Sequence, residues 1–482
     1  MENEKQESSG LTRRDALKMS GLAIGGLSLC GMTTSGCNLN SSSASENDTV
    51  SPEETYTYFN DLPEYYPGTE SLNADEMRIS FMGSWYAPRL AQSCNSIFVE
   101  VGGGPDGAPA DQFIFDCGSG VMGNYNAMGI PLSRMNKIFL THLHADHMSD
   151  LTHIYCFGPA YDRTAPQYVW GPADSGFTYY DAYRNENRGP YEDGTRAFCE
   201  NLRKALRWHT ESFSFQPTAK LNPTIPDQSA WGLPQAPIPV GDDEAADAYA
   251  LVPIELDWQL EGGIAYENPA TGVKITHFPA VHAREGSISY KLEWNGLSMI
   301  FTGDTKPNNY VIRQATEGVD VLIHEITTSA EVWAEKFVGL DPASPYWESA
   351  VKQLQNVQDS SHTPQKAFGY ILSQLDVPPR LAVGTHFPVS DDTVEPALVD
   401  IRKWYPSGDV AIALDFMVLN VSKSEILQRR AVVSDFAWPE VPLNALGTQY
   451  ELPKYNDGEN ADPIAQLDPD RDEITGVPWE NK

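Results

Sequence analysis

The chain has 482 residues, with 33 Lys and Arg against 66 Asp and Glu for a formal charge of −33, and 41% of its residues are hydrophobic and 11% aromatic. That aromatic content argues against a disordered chain, and there is no uninterrupted apolar run of about 18 residues from which to build a multi-span membrane protein. The acidic balance argues against a polyanion as main partner, because phosphate backbones are gripped through Lys and Arg, so no nucleic-acid partner is expected.

At the N-terminus, Thr12-Arg13-Arg14-Asp15-Ala16-Leu17-Lys18 precedes a weakly apolar, Gly-containing run from Met19 to Met32, the pattern of a twin-arginine export signal. Thr34-Ser35-Gly36-Cys37 reads as a loose lipobox, so residues 1–37 form an export address and Cys37 is a candidate lipid-anchor site. The expected location is the periplasm, free or as an anchored lipoprotein. Residues 38–77 read as a flexible tether and lead-in. Export makes the compartment disulfide-permissive. Cys156 could then be stapled to Cys199, or the thiols stay free and buried; nothing in the spacing decides, and the cysteines are not spaced as metal ligands.

Short β-like runs follow at Arg78–Phe81, Ser96–Val101, Gln112–Asp116, Lys137–Leu140 and Gln167–Trp170, bounded by turn residues. A second β-rich block has runs at Val273–Phe278, Ser287–Trp294, Ser298–Phe301, Val319–Ile323, Arg380–Gly384 and Val410–Val421. Helical spacing appears at Thr195–Trp208 and Thr363–Leu375, where Thr363 can cap and Pro364 suits the first helical position. The pattern is mixed α/β in two halves. A core domain spans residues 78–424, interrupted at about 156–270 by a Tyr-, Trp- and Arg-bearing insertion that reads as a lid. Residues 425–482 are expected to wrap the domain as a tail.

The strongest signal is Thr141-His142-Leu143-His144-Ala145-Asp146-His147 directly after an apolar strand. Extended geometry puts His142 and His144 on one side of the chain, and a turn into a helix at Asp146 lets Asp146 and His147 converge on the same point. Imidazoles and a carboxylate so close together are ordinary ligands for zinc or a related ion. Further donors stand just past apolar strands: His282 in Pro279-Ala280-Val281-His282-Ala283-Arg284, Asp304 in Thr302-Gly303-Asp304-Thr305, and His386 in Gly384-Thr385-His386-Phe387. Strand ends are where α/β sheets place functional groups.

With these motifs the sequence resembles the metallo-β-lactamase superfamily, in particular its ribonuclease Z and arylsulfatase-like branch, over roughly residues 78–420. It is similar in general layout to exported guanitoxin-biosynthesis-type hydrolases of that fold. The resemblance implies an αβ/βα four-layer sandwich. It also implies one metal held by His142, His144 and His282 and a second by Asp146, His147 and His386, with Asp304 bridging. Val321-Leu322-Ile323-His324-Glu325 and Ser361-His362-Thr363 resemble two further motifs of the branch, which place Glu325 and His362 beside the metals to assist proton transfer. Asp116-Cys117-Gly118 matches its early structural turn. His282 is favoured over the nearby His277 because Gly286-Ser287-Ile288-Ser289-Tyr290 follows it as in the family. His153, expected in the same helix as His147, and His209 are read as structural or surface residues.

The function expected is metal-dependent hydrolysis of a small-molecule ester (phosphodiester, sulfate ester or lactone). The nucleophile is water activated between two divalent ions, zinc first, with manganese or iron(II) as alternatives. Asp146 is expected to orient that water, with His362 as general acid paired to Glu325. Two other readings are a non-catalytic exported metal-binding lipoprotein and a mononuclear iron oxygenase on the same fold.

Overall fold

The computed structural model describes residues 59–103, 109–163, 165–214, 248–390 and 392–433. The export segment with Cys37, the start of the tether, most of the Pro-rich stretch before Ala250, and the C-terminal segment with Trp438 and Trp479 lie outside the described residues. No described helix is long and apolar enough to cross a membrane.

The first half contributes β1 (Glu64–Tyr65), β2 (Met77–Gly83), β3 (Ser96–Gly103), β4 (Pro109–Phe115), β5 (Lys137–Phe139) and β6 (Gln167–Pro172). A small hairpin, β7 (Tyr179–Asp181) with β8 (Glu186–Arg188), stands apart, and β9 (Leu251–Leu256) follows. The second half supplies β10 (Gly263–Asn268), β11 (Val273–Pro279), β12 (Ile288–Trp294), β13 (Leu297–Phe301), β14 (Val321–Glu325), β15 (Leu381–Thr385) and β16 (Val410–Ile412). The chain then returns through β17 (Met417–Val421) and β18 (Ile426–Ala431). One sheet has the order β1-β18-β17-β2-β3-β4-β5-β6-β9 and the other β10-β11-β12-β13-β14-β15-β16. Each passes from antiparallel pairing (β2 to β4; β10 to β13) to parallel pairing (β4 to β9; β13 to β16). Parallel strands need crossover connections, and these deliver helices to the outer faces.

Phe81, Phe113, Phe115 and Phe139 of the first sheet meet Tyr290, Phe301 and Val383 of the second in a core between the sheets. Phe139 stacks on Trp170 with ring centroids 4.5 Å apart and planes 4° from parallel. Outside the first sheet, Phe98, Ile114 and Ile138 pack on Tyr125, Ile154 and Tyr155 of the helices Val121–Ala127 and Leu151–Tyr161. Outside the second, Ile300, Leu322 and Ala382 pack on Phe368, Ile371 and Ile401 of Gln365–Ser373 and Val394–Arg402. Helix, sheet, sheet, helix: the mixed α/β four-layer sandwich is the observed fold.

Several sequence expectations shift. Val410–Val421 is two strands in different sheets: β16 ends the second, and the chain crosses at Ala413–Phe416, where Phe416 has φ 70°, to enter the first as β17. The first sheet reaches past both expected domain limits, since β1 pairs with β18. It also recruits β6 and β9 from within the expected insertion, so that region is part scaffold. Thr363 does not cap its helix; its hydroxyl donates to the Thr305 carbonyl at 2.6 Å, and Pro364 takes the N-cap position. His153 lies on a separate helix from His147, because Ala145–Met148 stops before Leu151–Tyr161 begins. Cys94, Cys117, Cys156 and Cys199 are all free and buried.

Candidate metal centre

The donors gather along one edge of the sandwich, at the carboxyl ends of strands. Asp116 follows β4, His142 follows β5, His282 follows β11, Asp304 follows β13, Glu325 ends β14 and His386 follows β15. Asp116 and His386 both adopt left-handed backbone, at φ 55° and 61°. Such strained conformations at strand ends turn a side chain off the course of the strand. Gly303, at φ +57°, precedes Asp304, and a Cβ there would lie 2.5 Å from the Thr141 side chain. Only glycine lets the Asp304 loop come so close to the histidine motif.

Among the described residues three donor groups meet at Asp304: one joins His282 to Glu325 and His362, and the other two are built from the expected ligands. In the first of those two, His142 Nε2 lies 2.9 Å from His144 Nδ1, which lies 3.1 Å from His282 Nε2. Asp304 Oδ2 stands 3.6 Å from His282 Nε2 and 4.0 Å from His142 Nε2. In the other, Asp304 Oδ1 is 3.2 Å from His147 Nε2 and 3.3 Å from His386 Nε2, while Asp146 Oδ2 is 3.2 Å from each of those nitrogens.

Tautomers follow from the outer partners. His282 Nδ1 donates to the Ser361 carbonyl at 2.7 Å, leaving Nε2 as a bare lone pair. His147 Nδ1 faces Asp116 Oδ2 at 2.7 Å, and Asp116 also accepts from the Thr141 amide and hydroxyl. Burial pushes His142 well down and His282 down to about 4, so this triad holds neutral bases aimed at one another. Burial also opposes charge on His147, but Asp304, Asp146 and Asp116 outweigh it and hold the imidazole well up. His147 Nε2 and Asp304 Oδ1 are buried and make no hydrogen bond despite their proximity. Buried imidazole nitrogens and carboxylate oxygens packed this closely, two of them left without a hydrogen bond, are surroundings in which a cation offsets the cost of burial. The donor set fits divalent metal ions.

Glu325 is fully buried, accepts from the Thr305 amide at 2.6 Å and holds His362 Nδ1 at 3.0 Å. Burial works against charge on His362, but the Glu325 and Asp304 carboxylates raise it to about 9. His324, on the opposite face of β14, turns to the helix layer against Phe368 and bonds the Glu325 carbonyl. His277 bonds the Asp257 carbonyl at 2.9 Å, His153 stacks on Phe157, and His209 bonds the Cys156 carbonyl; none belongs to the donor groups.

A cavity of about 140 Å³ opens beside the triad, lined by His142, His144, His282, Ser175, Asp193 and Arg284 among others. Sequence reading assigned Asp116 only to a turn and gave Arg284 no role. The signal for Asp116 was the one used for Asp304, an acid just past a buried strand.

Parts of the chain are similar to known proteins. Residues 90–155 match the family model described as metallo-beta-lactamase superfamily. A ribonuclease Z of Treponema denticola is 37% identical over 62 residues, covering 13% of this chain and 20% of that protein. A ribonuclease BN of Proteus mirabilis is 23% identical over 224 residues, 45% of this chain and 66% of that protein. The chain thus spans a fifth and just under two thirds of these relatives' lengths. Among solved structures, the metallo-beta-lactamase fold protein YhfI from Bacillus subtilis aligns over 72% of this chain and 100% of its own, at 14% identity and TM-score 0.44. The chain carries a metallo-β-lactamase superfamily domain with ribonuclease Z and ribonuclease BN homologues.

Proposed function

We propose that the protein is an exported hydrolase that uses two divalent metal ions to cleave an ester-type substrate. The observation that carries this reading is the sharing of Asp304 between two groups of imidazole donors, one carboxylate oxygen facing each. His142, His144 and His282 would hold one ion and Asp146, His147 and His386 the other, with Asp304 between them. Imidazoles and carboxylates without thiolates suit zinc, and also manganese or iron(II).

When bound, two such ions supply an activated water and polarise the oxygen of the electrophile. The remaining work falls to the chain. Asp116, Thr141 and Ser361 fix the imidazoles in orientation, which fixes where a bound water would stand. Asp146, at the mouth of the second donor group, can accept a hydrogen bond from the attacking water. With Nδ1 of His362 committed to Glu325, whose carboxylate favours the charged imidazole, a proton on Nε2 can pass to the leaving oxygen.

Phosphodiesters come first among the ester classes, because relatives bear the names ribonuclease Z and BN. Those names also favour a second reading in which RNA is the substrate; the formal charge of −33 favours a small ester. Elemental analysis with a screen of nitrophenyl phosphodiester, sulfate ester and lactone substrates, and of a structured RNA, tests the proposal. About two ions per chain and chelator-sensitive turnover of a small ester are expected. A single iron with no hydrolysis in any arm would refute it, and cleavage of RNA alone would select the second reading.

A further inference from the structure

We propose that Arg284 sets the specificity of this site by holding a second oxyanion, such as a carboxylate, on a small ester whose scissile group lies at the donor cluster. The inference rests on the hydrolase reading above and names the class of substrate. Arg284 lies two residues past His282, on the same loop, and both line the cavity beside the triad. Its guanidinium is fixed from two sides: it pairs with Asp193 and lies over the Phe177 ring at 4.8 Å.

Asp193 is in turn held rigidly. Its Oδ1 accepts the Ser175 amide and its Oδ2 the Ser175 hydroxyl, both at 2.8 Å. Asp174 ties down the backbone on the other side, its Oδ1 accepting the Asp193 and Gly194 amides at 2.8 and 2.7 Å. Asp193 Oδ2 thus takes both the Ser175 hydroxyl and Arg284, and among the described residues the guanidinium makes its hydrogen bonds through Nη2 alone, to Asp193 and the Ser175 hydroxyl. A planar fork that is always charged, held by an ion pair and a ring face and left with unused N–H groups, is organised for bidentate capture of an oxyanion. The Arg284 side chain is itself 48% exposed, so its unused N–H groups are open to a ligand, and the remaining charged lining group, Glu285, is exposed as well. A substrate that placed a neutral group here would leave the fork unmatched, so the site discriminates by the charge distal to the scissile bond.

Isothermal titration of the metal-loaded full chain tests this, with phenylphosphonate and its meta- and para-carboxylated forms as probes. The wild type is expected to bind one carboxylated form at least about 10-fold more tightly than phenylphosphonate, the worth of a hydrogen-bonded charge pair. Arg284→Gln should bring that ratio to within about 2-fold of unity, and Arg284→Lys, which keeps the charge but not the fork, should fall between. Equal affinities in the wild type, or a preference that survives Arg284→Gln, would overturn the assignment. So would a short RNA that competes with phenylphosphonate and loses that ability in Arg284→Gln, since the arginine would then serve a polynucleotide. A wild type that keeps the preference yet turns over no ester would sink the hydrolase reading and leave Arg284 as an oxyanion receptor.

Discussion

Asp116 and His147 meet at 2.7 Å, Oδ2 to Nδ1, with both side chains fully removed from solvent. The contact joins the end of β4 to the helix after β5 and presents His147 Nε2 to Asp304 and Asp146. A carboxylate behind a ligating imidazole fixes its tautomer and raises its basicity. Asp116→Asn keeps the size and an acceptor oxygen but removes the charge. Competition against a chelator should show metal affinity about 10–100-fold weaker; equal retention in variant and wild type would confine Asp116 to the turn.

Asp304 is the only donor that the two groups of expected ligands share. Asp304→Ala should release at least one ion per chain and lower turnover by about 10³-fold or more, as expected when charge stabilisation at the reacting centre is lost. Elemental analysis and rates on one sample check both. Full activity in this variant would refute the shared role.

The Glu325–His362 pair predicts a dependence on leaving group. His362→Ala should keep the metals and slow esters of poor leaving groups by about 10²–10⁴-fold, while activated nitrophenyl esters, whose leaving oxygen needs no proton, fall much less. A uniform loss across the leaving-group series would count against proton donation from Nε2.

Much of the donor set was legible in the sequence because His142, His282, Asp304 and His386 stand just past runs of apolar residues, and such runs announce strand ends. The compact His142–His147 motif needed only that strand and the turn after it. The role of Asp116 was hidden because its partner, His147, is 31 residues away, and only the parallel pairing of β4 with β5 brings them together. Arg284 was hidden for a similar reason: its partners Asp193 and Phe177 lie 91 and 107 residues away, inside the insertion. In the fold, periodicity located the inner strands well. It joined β16 to β17 because one buried acid, Asp415, in an otherwise mostly apolar stretch was not read as the point where the chain leaves one sheet for another. The edge strand β1 and its neighbour β18 escaped notice because such half-exposed strands carry little apolar pattern.

Asp415 gives a stability prediction separate from the metals. It stands at the crossing between the sheets, buried, accepting from Ser84 Oγ at 2.7 Å, the Ser93 amide at 2.6 Å and the Asn124 amide at 2.9 Å. Burial outweighs these donors and pushes its carboxyl up to about 7. An unfolded Asp releases its proton near pH 3.9, so between about pH 4 and 7 the folded state binds the extra proton and stability must fall as pH rises. The full span of the shift corresponds to roughly 4 kcal/mol as an upper bound. Asp415→Asn keeps an acceptor oxygen and cannot ionise, so this component of the slope disappears. Urea unfolding at pH 5 and pH 8 should show the variant gaining on the wild type by roughly 2–3 kcal/mol between the two conditions, a difference in which protonation events common to both proteins cancel. Parallel pH profiles for the two proteins would mean that Asp415 is ionised throughout, its three donors having won over burial.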